Sequence, residues 1–292
     1  MPYILKEYDS IKNKKIEDFL FEDINLDNKL ISKLLEKTKI FDENGRRFQK
    51  NQKIKSKKVK LTIFEAQTKG LKPLFQTEHF ALFDKPSGLK VHPSTTDFAE
   101  YTLLDEIKYY LGNSAKFINR IDKETSGLVL VSKNDYAQFL FKEIFENRKV
   151  RKKYLAWVDK KLEKEQLVDK KLALSNGKIK LKMEISDKGK ESKSLIKPIF
   201  FDKLKNQTLV EVEPITGRQH QIRVHLNSIS HPIIGDPIYG LDEKIADKIL
   251  NNEINDIERV KLSKANRLML HSYSLEFVFL GIKYKIVSKQ SF

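Results

Sequence analysis

An α+β fold around a largely antiparallel sheet is predicted by three features of the sequence. Short apolar runs bounded by turns dominate beyond residue 74, amphipathic stretches of helical period lie between them, and the two kinds of segment do not alternate as βαβ units would. At 292 residues, with 40% hydrophobic content and 18 phenylalanines, the chain can bury a substantial core. One large domain or two smaller ones would accommodate it.

The elements follow in order. Residues 1–66 form a compact, basic front unit. Lys15–Phe21 and Asn28–Lys37 carry apolar residues at helical spacing, with Leu30, Ile31, Leu34 and Leu35 on one face. Ile40–Phe48 reads as strand, Asn-Gly turn, strand, Lys50–Lys60 is almost purely basic, and Val59–Phe64 alternates like a closing strand. Helix, helix, hairpin and basic decoration in that order resemble a small S4-type RNA-binding domain. Residues 67–73 read as a linker and 74–292 as the second domain. In it, Phe80–Phe83, Leu128–Val131, Tyr154–Val158 and Thr208–Val212 read as strands, and Tyr101–Leu111 and Asp135–Glu146 as helices. Asp242–Lys264 reads as a charged surface helix or insertion, and Leu275–Val287 as a hairpin turning near Gly281.

Composition narrows the function. The formal charge of +16 attracts polyanions, chiefly nucleic acid or anionic membrane. Arginine supplies only 9 of the 56 basic residues, so Arg120, Arg218 and Arg223, all in structured-looking polar segments, stand out from general lysine decoration. No apolar run approaches a membrane span, the N-terminus lacks a signal-peptide pattern, and the absence of cysteine excludes disulfides and thiolate metal sites. A cytoplasmic monomer without membrane association is the expectation.

Four segments carry the chemistry: Asp84–Pro93, Asn119–Gly127, Arg151–Val158 and Thr216–Leu226. Taken alone, Asp122 in Arg-Ile-Asp-Lys-Glu-Thr-Ser-Gly is a polar turn residue ahead of an apolar strand, with Arg120 beside it as the first candidate counter-charge. Combined with Gly217-Arg-Gln-His-Gln-Ile-Arg223, and followed by His231–Tyr239 and Leu270–Phe277, the segments resemble the RluA family of pseudouridine synthases over roughly residues 71–292. Many members of that family also carry an S4-like front end.

The resemblance implies a pseudouridine synthase fold and an isomerase that detaches uracil from C1′ of ribose in RNA and rejoins it through C5. A carboxylate must act at the sugar, either attacking C1′ or taking the C2′ proton, and a neighbouring cation favours its charged form. By resemblance Asp122 is that carboxylate, with Arg223 its ion-pair partner and Arg218 the runner-up. The uracil must also leave the RNA stack. Tyr154 is placed against it, as a stacking ring that could also help take the C5 proton, and Arg120 on the RNA beside the flipped position. Arg218, His220 and Gln221 complete the expected substrate contacts. The rearrangement is redox-neutral, and neither metal nor organic cofactor is expected. Ribosomal RNA is the expected target, of the large subunit first, with transfer RNA second.

Two positions depart from the family pattern: Asn119 stands where histidine is usual and Gln219 where threonine or serine is commoner. His220 and His225 are five apart with no acidic residue between them, which does not match helical metal-ligand spacing, and structural roles are expected for the histidines. Lys85-Pro-Ser-Gly88 lacks the glycine spacing of a phosphate loop and reads as a structural turn near the site. Two other functions compete. A non-catalytic RNA-binding or ribosome-assembly protein would not need Asp122, and a glycosidase would need a second carboxylate opposite it, which the matching segments do not obviously offer.

Overall fold

The computed structural model describes residues 3–37, 39–93 and 100–290. The chain falls into two compact units, residues 1–69 with 92–109, and residues 70–91 with 110–292.

In the first unit, α1 (Ile16–Asp18) runs directly into a π-helical turn (Phe19–Asp23), and α2 (Asn28–Glu36) follows. Asp27 caps α2 by accepting from the Leu30 amide at 2.9 Å. Strands β1 (Tyr3–Asp9), β2 (Ile40–Asp42) and β3 (Lys58–Phe64) form an antiparallel sheet in the order β1-β3-β2. The helices bury Ile16, Phe19, Leu20, Ile31 and Leu34 against Ile40, Phe48, Ile54, Val59 and Leu61. The predicted hairpin is only half strand. Its turn is held by Asp42 Oδ1, which accepts from the amides of Asn44 and Arg46, but the return arm contributes a single bridge, Phe41 to Arg47. The basic run is pinned by Ile54, which is fully buried, while Lys50, Lys53, Lys55 and Lys57 are exposed.

Helix α3 (Leu103–Leu111) lies mostly with this unit. Its Glu106 carboxylate accepts from Thr68 Oγ1 and the Lys69 amide, both at 2.7 Å. A division into 1–66, a linker 67–73 and 74–292 therefore does not match the grouping of contacts. The start of the supposed linker is hydrogen-bonded to a helix that sequence order assigns to the second domain.

The second unit is built on a ten-stranded mixed sheet. Its strands are β4 (Phe75–Gln76), β5 (Phe80–Lys85), β6 (Lys116–Phe117), β7 (Ser126–Ser132), β8 (Arg151–Asp159), β9 (Gln166–Asp169), β12 (Lys193–Asp202), β13 (Gln207–Pro214), β14 (Leu270–Phe279) and β15 (Ile282–Val287). The main path runs β4-β5-β7-β14-β8-β13-β12-β9, with β15 on β14 and β6 on β7. All pairings are antiparallel except β7 with β14, where His271 and Ser272 lie beside Ser126 and Gly127. A small hairpin, β10 (Leu172–Leu174) and β11 (Met183–Ile185), stands outside the sheet.

Apolar alternation buries one cluster around Phe80, Leu128, Leu130, Phe141, Leu275 and Phe277, beneath α4 (Asp135–Glu146). A second cluster joins Ala156, Val158, Ile196, Val210 and Val212 to Ile222 and Leu226 of α5 (Gln221–Ser228). The segment 242–264 is a pair of short helices, α6 (Glu243–Leu250) and α7 (Asp256–Ser263). Ala246 and Ile249 of α6 are buried, and Ala246 packs with Tyr239 and Val224. Among the described residues no helix is long and apolar enough to cross a membrane.

Candidate active site

Asp122 sits on the loop between β6 and β7, and the start of β7 fixes where that loop ends. Gly127 has φ +106°, and a Cβ there would lie 2.3 Å from the Ser272 carbonyl oxygen, so only glycine lets β7 and β14 approach this closely. On the loop's near side Asn119 Oδ1 accepts from the Leu130 amide at 2.7 Å. The residue replacing the family's histidine is thus a strut between loop and strand.

The turn after β5 grips the same loop. Lys85 is fully buried and its ammonium donates to the carbonyls of Pro86 (2.9 Å), Leu89 (2.7 Å) and Lys123 (2.9 Å), which uses all three of its protons. Burial pushes its pKa down to about 7, against the pull of the Asp122 charge. Ser87 Oγ donates to Glu124 O at 2.6 Å and the Gly88 amide to Lys123 O at 3.0 Å. The Lys-Pro-Ser-Gly turn thus fastens the two residues that follow Asp122.

Arg223, in the first turn of α5, is the arginine that reaches Asp122. Its Nη1 donates to Asp122 Oδ2 at 3.0 Å. The rest of the guanidinium is held by Asp236 in a two-pronged pair, Nε to Oδ2 and Nη2 to Oδ1, both 2.8 Å. Burial alone works against the charge on Arg223, but the Asp236 carboxylate, helped by Asp122, outweighs it and raises its pKa further above the ordinary value. The side chain of Asp236 is fully buried and that of Arg223 only 5% exposed, whereas that of Asp122 is 33% exposed. The arrangement is an anchored cation presenting one donor to a carboxylate that remains accessible.

His220 stands at the start of α5 in the left-handed region, with φ 53°, a strained conformation for a non-glycine residue. Its Nε2 lies 3.7 Å from Asp122 Oδ2 and its Nδ1 2.9 Å from the Tyr239 hydroxyl. Burial, with Arg223 adding to it, holds its pKa down at about 4, so the ring is neutral at pH 7. Tyr239 also lies with its ring 5.1 Å from the Arg223 guanidinium carbon. Tyr154, on β8, pairs across the sheet with Ser272 and Val212. Burial pushes its phenol up to about 12 and the Asp122 charge adds to this, so the hydroxyl keeps its proton near neutrality.

Two sequence expectations, for Arg218 and Gln221, are placed elsewhere. Arg218 is exposed and its Nε donates to the Glu191 carbonyl at 3.1 Å, so it does not pair with Asp122. Gln221, expected to touch substrate, is 3% exposed with its amide fully used. Its Oε1 accepts from Thr216 Oγ1 and the Arg218 amide, and its Nε2 donates to Lys193 O and Ser194 Oγ. Those four bonds brace the segment between β13 and α5. Arg120 is exposed on the Asp122 loop, and the ion pair with Asp122 is made by Arg223, as the resemblance implied. Three other histidines sit in separate networks: His225 between Ser192 and Ser194, His231 on the Asp159 carbonyl, His271 on Ser126.

Sequence reasoning missed Asp236 and Tyr239 as parts of this site and placed Lys85 only in a structural turn near it. Asp236 carried a readable signal, because a carboxylate among Ile233, Ile234, Pro237 and Ile238 has to find a buried cation. Lys85, inside the wholly buried strand β5, carried the reciprocal one.

Comparison with known proteins meets this geometry. Residues 79–228 match the family model described as RNA pseudouridylate synthase, a stretch that holds Asp122, Tyr154 and Arg223. A relative from Helicobacter pylori, named an uncharacterized RNA pseudouridine synthase, is 34% identical over 99% of this chain and 94% of its own length.

The chain belongs to the RNA pseudouridine synthases.

Among other members of the family, a ribosomal large subunit pseudouridine synthase D of Zymomonas mobilis is 34% identical over 64% of this chain and 62% of its own. A mitochondrial tRNA pseudouridine(32) synthase of Saccharomyces cerevisiae is 35% identical over 59% of this chain and 38% of its own. Human RNA pseudouridylate synthase domain containing 1 shares the fold, with TM-score 0.59 at 21% identity over 78% of this chain and 86% of that one. This pseudouridine synthase is accordingly an isomerase that converts uridine to pseudouridine in RNA, and the RluA-type resemblance of its motifs stands.

Proposed function

We propose that Asp122 is the carboxylate that acts at the ribose of the target uridine, that Arg223 is its counter-ion, and that Tyr154 supports the extruded uracil. The observation that carries this reading is the pairing of a partly accessible Asp122 with a buried Arg223 that Asp236 fixes from behind. Asp236 is occupied by that guanidinium and by the amides of Ile238 and Tyr239. It is therefore not a second catalytic carboxylate, which disfavours glycosidase chemistry. Tyr154 acts through its ring and as a neutral hydroxyl, because its pKa of about 12 makes it a poor base at pH 7. Arg120, exposed on the loop that carries Asp122, contacts the RNA next to the flipped nucleotide.

Within RNA, we read the target as a uridine of large-subunit ribosomal RNA. The lysine-rich first unit, with two helices against a three-stranded sheet, supports an S4-like RNA-binding role, and the Zymomonas relative's name points the same way. The yeast relative's name supports transfer RNA as the second reading. One experiment separates these readings. Wild-type and Asp122→Ala protein are returned to a strain lacking the gene, and pseudouridines are mapped in ribosomal and transfer RNA. Wild type should restore a defined uridine in the large-subunit RNA and Asp122→Ala should restore none. Restoration by Asp122→Ala would reject the catalytic assignment, and restoration only in transfer RNA would reject the ribosomal target.

A further inference from the structure

The paired helices α6 and α7 read in the sequence as surface decoration, yet Arg259 of α7 reaches into the site's framework. Its Nη2 donates to Glu124 Oε2 at 2.5 Å and to the Gly235 carbonyl at 3.0 Å. Glu124 is two residues past Asp122, and Gly235 immediately precedes Asp236. The same Glu124 oxygen accepts from the Leu268 amide at 3.0 Å. Gly235 in turn donates its amide to the Ser263 carbonyl at 2.7 Å, so α7 takes both polar groups of that one residue. Gly235 has φ +76°, and a Cβ there would fall 1.8 Å from the Arg267 carbonyl oxygen, so the close docking admits only glycine.

These contacts close a ring: Asp122 to Arg223, Arg223 to Asp236, Gly235 to Arg259, Arg259 to Glu124, and back along the loop to Asp122. Arg223 joins the two loops from inside the site and Arg259 joins them from outside. The side chains of Arg259 and Glu124 are only 14% and 23% exposed, which places their pairing well above a solvent-screened surface bridge in effect.

We propose that Arg259 is a positioning residue of the pseudouridine synthase: through Glu124 and Gly235 it fixes the spacing of the loop carrying Asp122 from the turn carrying Asp236, and so sets the register of Asp122 on Arg223. This rests on the reading of Asp122 as the acting carboxylate. Arg259 touches no substrate in this role. Its loss lets the two loops drift, and misplacement of a reacting group by about 1 Å costs on the order of 100-fold in rate.

The test follows the reaction itself. The N1–C1′ bond breaks, the C5–C1′ bond forms and the C5 hydrogen leaves, so RNA labelled with tritium at uridine C5 releases tritium to water. The probe is such RNA, ribosomal and transfer, prepared from a strain lacking the gene, and the full-length protein is used in single turnovers over a range of enzyme concentrations. Arg259→Gln and Glu124→Gln should each lower the rate at saturating enzyme by about 10- to 100-fold while half-saturation moves less than about twofold. The double variant should be no slower than the slower single one, because both break one link. Arg259→Lys should recover part of the rate, since an ammonium keeps the charge but lacks the planar fork. Ile257→Ala, at a position 72% exposed on the same helix, should leave the rate unchanged. A saturating rate for Arg259→Gln within twofold of wild type, or losses that multiply in the double variant, overturns the proposal. Asp122→Ala run alongside separates the two readings. If it is silent while Arg259→Gln is normal, only the positioning role falls; if it releases tritium at the wild-type rate, the site assignment falls and the proposal with it.

Discussion

His220 shows how much one residue's environment decides. The sequence offers an imidazole in the Gly217–Arg223 segment, which the family resemblance makes a substrate contact. The fold buries it between Tyr239 and Arg223, so that its pKa falls to about 4. The sign of the consequence is fixed by linkage. The folded state holds fewer protons on this ring than the unfolded state between pH 4 and 6.5, so stability is fully present above about pH 6.5 and is lost as pH falls toward 4. His220→Gln should remove that dependence. Denaturant unfolding at pH 7 and pH 4.5 should show wild type losing more stability than the variant across this interval, by up to about 3 kcal/mol. Equal losses would mean that the ring is solvated after all. The same environment argument separates Arg223 from Arg218. Both lie in one polar segment, but only the residue on the inward face of α5 meets carboxylates, and helix phase could not be read until the helix start at Gln221 was fixed.

At the scale of elements, the strongly periodic pieces were legible. The helix Asp135–Glu146, the strands around Leu128, Tyr154 and Thr208, and the closing hairpin at Gly281 are where apolar spacing placed them. Strand β12 was not read, because Pro198 interrupts its pattern. Its partner β9 pairs only with Lys193–Ile196, so Pro198 sits on an edge where its missing N–H costs nothing, next to a register shift. Strand β1 was missed because Lys6 and Glu7 dilute its apolar alternation, and it is defined by pairing with β3 rather than by its own sequence. The apolar run places β7 at Leu128–Val131, yet Ser126 and Gly127 are already strand. The reason lies in the partner: parallel pairing with β14 brings the Ser272 backbone where a side chain would be. Gly127→Ala should therefore destabilise the protein by about 2–4 kcal/mol, through both the clash and the positive φ. Thermal unfolding should fall by several degrees, whereas Gly88→Ala, also at positive φ but with open space around it, should cost less. Equal costs would mean that the strands separate to make room.

At the scale of the whole molecule, a charge of +16 is a statement about partners, and its distribution makes it testable. The run from Lys50 to Lys57 is not a slack basic loop. Ile54 is buried beside Phe48 and Val59, which holds the intervening lysines outward on a defined surface. A displayed cluster of this kind follows phosphates without reading bases, and each phosphate neutralised releases condensed counter-ions. The affinity for RNA should then fall linearly with the logarithm of salt concentration, with a slope of roughly −0.7 per contacted phosphate for single strands. Replacing Lys50, Lys53, Lys55 and Lys57 by glutamine together should make that slope shallower by about 1 to 3 and weaken binding at physiological salt. The same change should leave the single-turnover rate at saturating enzyme near wild type, because Asp122, Arg223 and Asp236 all belong to the other compact unit. Binding isotherms at four salt concentrations, paired with tritium release at saturation, measure both quantities. An unchanged slope would show that the lysines are a solvated coat and would move the RNA-binding role away from this surface. A shallower slope with an intact rate would make residues 1–69 the part that gathers RNA, and leave the choice of uridine to the contacts around Asp122.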